Sequence, residues 1–197
     1  MEGDAGFGEE MMPEGTSAAY LIFMAGIRPE TARSLLTTLS MCANQGVEEV
    51  RLLIGTGGGG MDAGVGLFNA MRGLPFRLVT HNIGTVASIG VPVYLAGEER
   101  IACPHSHFML HGATSQVPAQ QDFGAKWFRE QHDSLLAGEA RTNAILADRT
   151  NLSDDELAVR SETEQTLDAD AAVEHGIAHK IEDVNIPEDA FIYTVPI

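Results

Sequence analysis

Val50-Arg51-Leu52-Leu53-Ile54-Gly55-Thr56-Gly57-Gly58-Gly59-Gly60 is the stretch on which the fold turns. An apolar, β-branched run stops at a glycine tract, and a helical pattern follows at Ala63, Leu67, Ala70 and Met71. Such a run, bounded by turn residues, predicts a strand buried on both faces. Upstream, Ala18 to Ala25 forms a second buried run that ends at Gly26. Between the two, Ala32, Leu35, Leu36, Leu39 and Ala43 recur at helical spacing, with Pro29 suited to a first helical position and Gly46 to the close. Strand, helix, strand at this spacing is a parallel crossover unit, so the fold class is α/β. The glycine tract lies between a strand and a helix, where backbone amides can approach a ligand. It has no Lys-Ser/Thr of a phosphate-binding loop, and a tight turn explains it equally well.

Working outward, Phe76 to Ile83 predicts a third strand that Gly84-Thr85 breaks. Ser88 then falls at a strand-to-helix turn, in the first turn of an apolar, helix-length run ending near Gly97. There its hydroxyl can enter a cleft, and the amide of Ile89 can serve an oxyanion. Serine is also a favoured helix cap, so capping is the competing reading. Phe108 to Leu110 predicts a short strand at the sheet edge with His111 at its end, where loops carry chemistry. His105 and His107 could form a metal pair, but no third ligand stands at matching spacing, and no metal or other cofactor is expected.

Ser115 to Gln121 reads as extended and polar, and about Asp122 to Asp148 as a long helix facing solvent or a partner. Ser153 and Glu156 form a capping box. Asp168 caps a short helix through Glu174, Gly176 closes it, and Ile177 to Ile181 is a last strand candidate. The apolar tail, with Phe191, Ile192, Tyr193, Val195 and Ile197, is expected to dock on the body or on a neighbouring subunit. Residues 1–17 read as a flexible acidic arm, and residues 18–197 as one domain with a protruding helical handle at about 113–150.

Composition narrows the function classes. The chain of 197 residues carries 28 acidic against 12 basic side chains, a formal charge of −16. That balance argues against a nucleic-acid surface. No apolar run reaches the roughly 18 residues of a membrane span, and no signal pattern opens the chain. Cys42 and Cys103 make no disulfide framework. The expected location is the cytoplasm.

Four segments in order resemble the Clp-type serine peptidase family, the proteolytic subunits of ATP-dependent Clp proteases. Gly57 to Gly64 is similar to the family's Ser-Pro-Gly-Gly-x-x-x-Ala-Gly, and Gly84-Thr85-Val86-Ala87-Ser88-Ile89-Gly90 to its Gly-Gln-Ala-Ala-Ser-Met-Gly. Met109-Leu110-His111 resembles Met-Ile-His, and Glu174-His175-Gly176-Ile177-Ala178 resembles Glu-Tyr-Gly-Leu-Val. The likeness runs from about Tyr20 to Lys180. It implies repeated β-β-α units of the type shared with crotonases. It implies a serine endopeptidase acting on peptides or unfolded polypeptide through an acyl-enzyme. Ser88 is the implied nucleophile and His111 the base. The amides of Gly59 and Ile89 are the implied oxyanion hole, with Gly58 and Gly60 beside the substrate. It further implies homo-oligomeric rings, usually heptameric and stacked.

The count back from Gly176 puts Glu164 where the family has its aspartate, with Glu162 and Asp168 as neighbours able to substitute. Thr56-Gly57 replaces the family's Ser-Pro. Met1 to Gly15 has no counterpart of the family's N-terminal loop and first helix, so an AAA+ unfoldase partner stays open. The competing classes are a crotonase-like acyl-CoA enzyme and an inactive ring or scaffold protein. Within peptidases, a Ser-Lys dyad could draw only on Lys126.

Overall fold

The computed structural model describes residues 12–13, 15–115, 119 and 121–197. Most of the expected N-terminal arm, and most of the segment from Ser115 to Gln121, lie outside the described residues. Eight strands form one sheet. At its centre β1 (Ala18–Met24), β2 (Glu49–Thr56) and β3 (Arg77–Ala87) run parallel. The crossovers are α1 (Pro29–Asn44) and α2 (Met61–Arg72). Pro29 opens α1, where its fixed φ suits the first turn and its missing N–H costs no hydrogen bond. Leu21, Phe23, Leu35, Leu39, Leu52, Ile54 and Leu67 are fully buried between sheet and helices. Truncating any one of these leucines to alanine should cost about 2–5 kcal/mol.

The third strand departs from the expectation. Gly84-Thr85 does not end it: β3 continues to Ala87 and changes partner on the way. Val79 to Asn82 pair with β4 (Glu99–Ala102), and Thr85 to Ala87 pair with β5 (His107–Leu110). Between the two halves the register against β2 jumps, from Ile54↔Asn82 to Thr56↔Val86. The Asn82 side chain holds the bulge closed. Its Oδ1 accepts from the Gly84 amide at 3.0 Å, and its Nδ2 donates to the His107 carbonyl at 2.9 Å. A bulge bends and re-aims a strand, and this one passes the end of β3 from β4 to β5, which sets Ser88 beside Met109.

The apolar run after Ser88 is also shorter as a helix than its length suggested. Only Gly90–Tyr94 is helical (α3), and Tyr94 is buried with its hydroxyl donating to the Ile101 carbonyl at 2.9 Å. Nor is β5 the sheet edge, because β6 (Gln165–Asp168) pairs antiparallel outside it. The long α4 (Ala125–Arg149) is followed by α5 (Asp154–Glu162) and α6 (Ala169–Glu174). The Ser153–Glu156 capping box and the Asp168 cap both form, and Gly176 has φ +68°. The last strand candidate shrinks to β7 (Lys180–Ile181). The apolar tail does dock on the body. It forms β8 (Phe191–Thr194), parallel to β1, with the Val195 amide donating to the Ile22 carbonyl. None of the described helices is long and apolar enough to cross a membrane.

Candidate active site

At the end of β3 the backbone turns sharply. Ser88 has φ +56°, the one non-glycine residue with positive φ among the described residues. That conformation is strained for an L side chain and persists only where its surroundings enforce it. The enforcement is visible. The Ser88 amide donates to the Met109 carbonyl at 2.8 Å, which extends the β3–β5 ladder by one bond. Beyond it, a Cβ on Gly90 would run into the Thr56 side chain, and a Cβ on Gly64 into that of Ile89. Ser88 does not cap α3, whose cap position is Ile89. The capping reading is therefore set aside in favour of a half-buried hydroxyl that lines a cleft at a forced turn.

The glycine tract faces this turn. The Ile27 amide donates to the Gly58 carbonyl at 2.7 Å, and the Gly60 amide donates to the Ile27 carbonyl at 2.8 Å. Gly58 (φ +86°) and Gly59 (φ +149°) both need glycine. A Cβ on Gly58 would stand 2.6 Å from the Ser88 Cβ, and one on Gly59 would overlap the Ile27 carbonyl. The tract is thus pressed against both Ser88 and Ile27, in the turn that follows β1. The amides of Gly59 and Ile89 donate to no acceptor among the described residues.

Ser88, Ile89 and Gly59 line a small cleft of about 50 Å³ together with His111, Glu139 and Arg160. The sequence-predicted Ser88 and His111 therefore share one cleft, although they stand 23 positions apart (111 − 88). They are not hydrogen-bonded to each other, and the His111 imidazole has no hydrogen-bond partner among the described residues. The His111 backbone is anchored instead. Arg160 Nη1 donates to the His111 carbonyl at 2.7 Å, and Gly112 packs so closely on Ser161 that a Cβ would overlap the Ser161 carbonyl.

Glu164 does not line the cleft. It is exposed, just before β6. The β5–β6 ladder ends at the pair Leu110↔Gln165, and His111 and Glu164 are the next residue on either side of it. Glu162 is exposed at the end of α5, and Asp168 is engaged, its Oδ1 accepting from the Ala171 amide at 2.9 Å. Lys126 lies outside the cleft and pairs with Glu130 on the surface. His107 Nε2 meets the Thr85 hydroxyl at 3.1 Å.

Two charged side chains at the cleft, Arg160 and Glu139, were not singled out from the sequence, nor was Asn143, which Arg160 contacts. Arg160, on α5, is buried at 4% exposure. Its Nε and Nη2 both donate to Asn143 Oδ1 on α4. Burial holds its pKa below the usual guanidinium value, and the charge of Glu139 partly opposes that shift. A signal existed: Arg160 stands three residues after Leu157, on the buried stripe of α5, where a lone cation needs partners. Glu139 and Asn143 had no such signal, since α4 is polar on most of its length.

Comparison with known proteins agrees with this architecture. The Clp protease family matches residues 14–185. The ATP-dependent Clp protease proteolytic subunit 2 of Pseudomonas aeruginosa is 22% identical over 176 residues, covering 88% of this chain and 86% of that protein. Its namesake from Corynebacterium glutamicum is 22% identical over 183 residues, covering 91% and 89%. The structure of a ClpP1 point mutant from Listeria monocytogenes superposes with a TM-score of 0.73 at 20% identity, over 84% of this chain and 92% of that one. With a match across most of its length and the fold in common, this chain belongs to the Clp protease family.

Proposed function

We propose that the chain is a serine endopeptidase that works inside a ring of its own copies. The observation that carries the reading is the Ser88 turn. A hydroxyl with no hydrogen-bond partner among the described residues is held at φ +56° in a cleft shared with a histidine and two amides likewise without an acceptor there. Maintaining that strain has a use if Ser88 Oγ must project at a substrate carbonyl. In the mechanism His111 takes the Ser88 proton as Oγ attacks, then donates it to the leaving amine. The oxyanion is held by the amides of Gly59 and Ile89, with Gly58 and Gly60 flanking the peptide. Water then releases the acyl group by the same route. Glu164, next to the last β5–β6 pair Leu110↔Gln165 as His111 is, is the proposed acid that fixes the imidazole tautomer. A small closing motion would bring Ser88 and His111 into hydrogen-bond contact, as catalytic geometry commonly tightens only with substrate.

The ring rests on the exposed apolar surface of the handle. Phe128 and Leu136 on α4 are 54% and 52% exposed, and Phe123, Trp127 and Phe128 stack into one aromatic cluster. An AAA+ unfoldase is the proposed partner, supported by the ATP-dependent designation of the relatives.

A fluorophosphonate probe should label the wild-type chain on Ser88 and leave Ser88→Ala unlabelled. Hydrolysis of a blocked fluorogenic peptide should fall by roughly 10³-fold or more in Ser88→Ala and His111→Ala. Light scattering should show an oligomer throughout. Full activity in Ser88→Ala would end the reading.

A further inference from the structure

Two apolar surfaces lie open on this chain, far from the cleft and from each other in the fold. The first is a groove of about 810 Å³ between α1 and α2. Pro29, Ala32, Leu36, Met41 and Ala63 line it, and it stays open beside Gly66, where a Cβ would meet no atom within 4 Å. An apolar groove of this size facing water marks a place where something docks. Two charges stand at the groove. Asp62 is engaged, accepting from Arg141 Nη2 at 2.7 Å, whereas Arg33 forms no ion pair among the described residues. The free charge of the groove is therefore positive, on a chain of formal charge −16.

The second surface is the outer row of the tail. β8 ends the sheet beyond β1 and lies past residues 14–185, the stretch that matches the Clp protease family. Its inner row packs on the body, with Val195 buried, but Ile192 is 49% and Ile197 78% exposed. No charge stands between Ala190 and Ile197, while Glu188 and Asp189 come just before and are exposed. A bare, uncharged strand at a sheet edge invites pairing, and proteins usually cover it. The two surfaces do not cover each other within one chain: the groove is lined by α1 and α2, and the tail sits on β1.

We propose that the tail of one copy clasps the α1–α2 groove of the next, with its exposed isoleucines on the apolar lining and Asp189 beside Arg33. This rests on the reading of the assembly as a ring. A head-to-tail contact needs two different surfaces on each copy, and repeating it round a closed circle leaves neither bare. The chain carries one surface of each kind, and their charges are complementary: an unpaired arginine at the groove, two carboxylates leading into the tail. Pairing of one tail with another would instead bring the carboxylates of two acidic chains together.

The test uses the full chain with Cys103→Ser, which removes the half-exposed thiol and leaves the buried Cys42. Ser40→Cys in the groove and Thr194→Cys on β8 are added, and a short bismaleimide is applied. Chain-to-chain products on a denaturing gel are expected from the double variant and from neither single one. Light scattering over a concentration series should show Ile197→Asp raising the dissociation constant of the assembly by about tenfold or more. Arg33→Asp and Asp189→Arg should each weaken assembly, and the two together should restore it, because the pairing is only reversed. Melting of the isolated subunit should stay near wild type throughout, since Arg33, Asp189 and Ile197 are exposed. Cross-linked products in an assembly no larger than a dimer would keep the clasp and remove the ring. An oligomer that gives no cross-linked product and withstands Ile197→Asp would overturn the clasp and leave the ring to the handle. A wild-type monomer at micromolar concentration would overturn both.

Discussion

The two walls of the cleft are built differently. On the nucleophile wall, β2, β3 and the glycine tract lock one another: Ser88 is tied to Met109, Gly58 to Ile27, and there is no room for a Cβ at Gly58, Gly59, Gly64 or Gly90. On the His111 wall, Arg160 holds the His111 carbonyl and Gly112 packs on Ser161, but the imidazole itself has no hydrogen-bond partner among the described residues. Glu164, the proposed acid, faces solvent. The lesson is about where rigidity is needed. An oxyanion site must be preformed to be effective, so it belongs on the packed sheet. A proton-transfer pair can tighten late, so it can sit on a wall that neighbouring subunits or substrate complete.

The largest expected effect comes from disturbing the locked wall. Gly59→Ala places a methyl group on the Ile27 carbonyl at a backbone angle that disfavours L residues. The expected cost is roughly 3 kcal/mol of stability, with loss of hydrolysis. Thermal melting read beside peptide turnover checks it; a mutant that melts normally would mean that the tract is not locked.

Next comes the anchor of the open wall. Arg160→Met leaves Asn143 Oδ1 and the His111 carbonyl unpaired, and should cost about 2–4 kcal/mol. Turnover should fall with little change in KM, because the proposed base would move and the proposed substrate contacts on the glycine tract would not. A rise in KM alone would assign Arg160 to substrate binding instead. Glu164→Gln should have a smaller effect on stability, since the residue is exposed. Its turnover should nonetheless fall at least tenfold if it fixes the His111 tautomer. Wild-type turnover in Glu164→Gln, measured beside Glu162→Gln, would leave the site a dyad or transfer the role.

Ser88→Gly sharpens the contrast from the other side. It should abolish hydrolysis but release the strain at φ +56°, so its melting temperature should rise, with a gain of about 1 kcal/mol. A lower melting temperature would show that the Ser88 side chain contributes more by packing than its backbone costs.

The smallest effect is with pH. His81, on the locked side, is 5% exposed, and its Nε2 lies 2.9 Å from the Glu182 carbonyl. Burial holds its pKa below the ordinary histidine value. The unfolded chain then takes up a proton near pH 6.5 that the folded chain resists, so stability present above that pH is lost as pH falls through the window below it. Melting followed from pH 7.5 downward should show the decline, and His81→Gln should make it shallower.

The sequence by itself determined the elements whose signals are local. Pro29 opens α1, Ser153 and Glu156 cap α5, Asp168 caps α6, and Gly176 closes it, because each acts through hydrogen bonds or dihedral limits within a few residues. Buried strands on either side of Pro29 and the glycine tract were legible for the same reason. Tertiary structure alone decided the rest. Gly84-Thr85 reads as a strand end but becomes the bulge at which β3 changes partner, because Asn82 closes it against His107. The positive φ of Ser88 is enforced by Met109 on β5 and by the glycine tract, neither adjacent to it in the chain. Arg160 and Glu139 reach the cleft only because α4 and α5 fold back over His111, and no short-range pattern encodes that. Local hydrogen bonding specifies a helix or a turn wherever it occurs, whereas a cleft exists only where distant segments exclude water from one another.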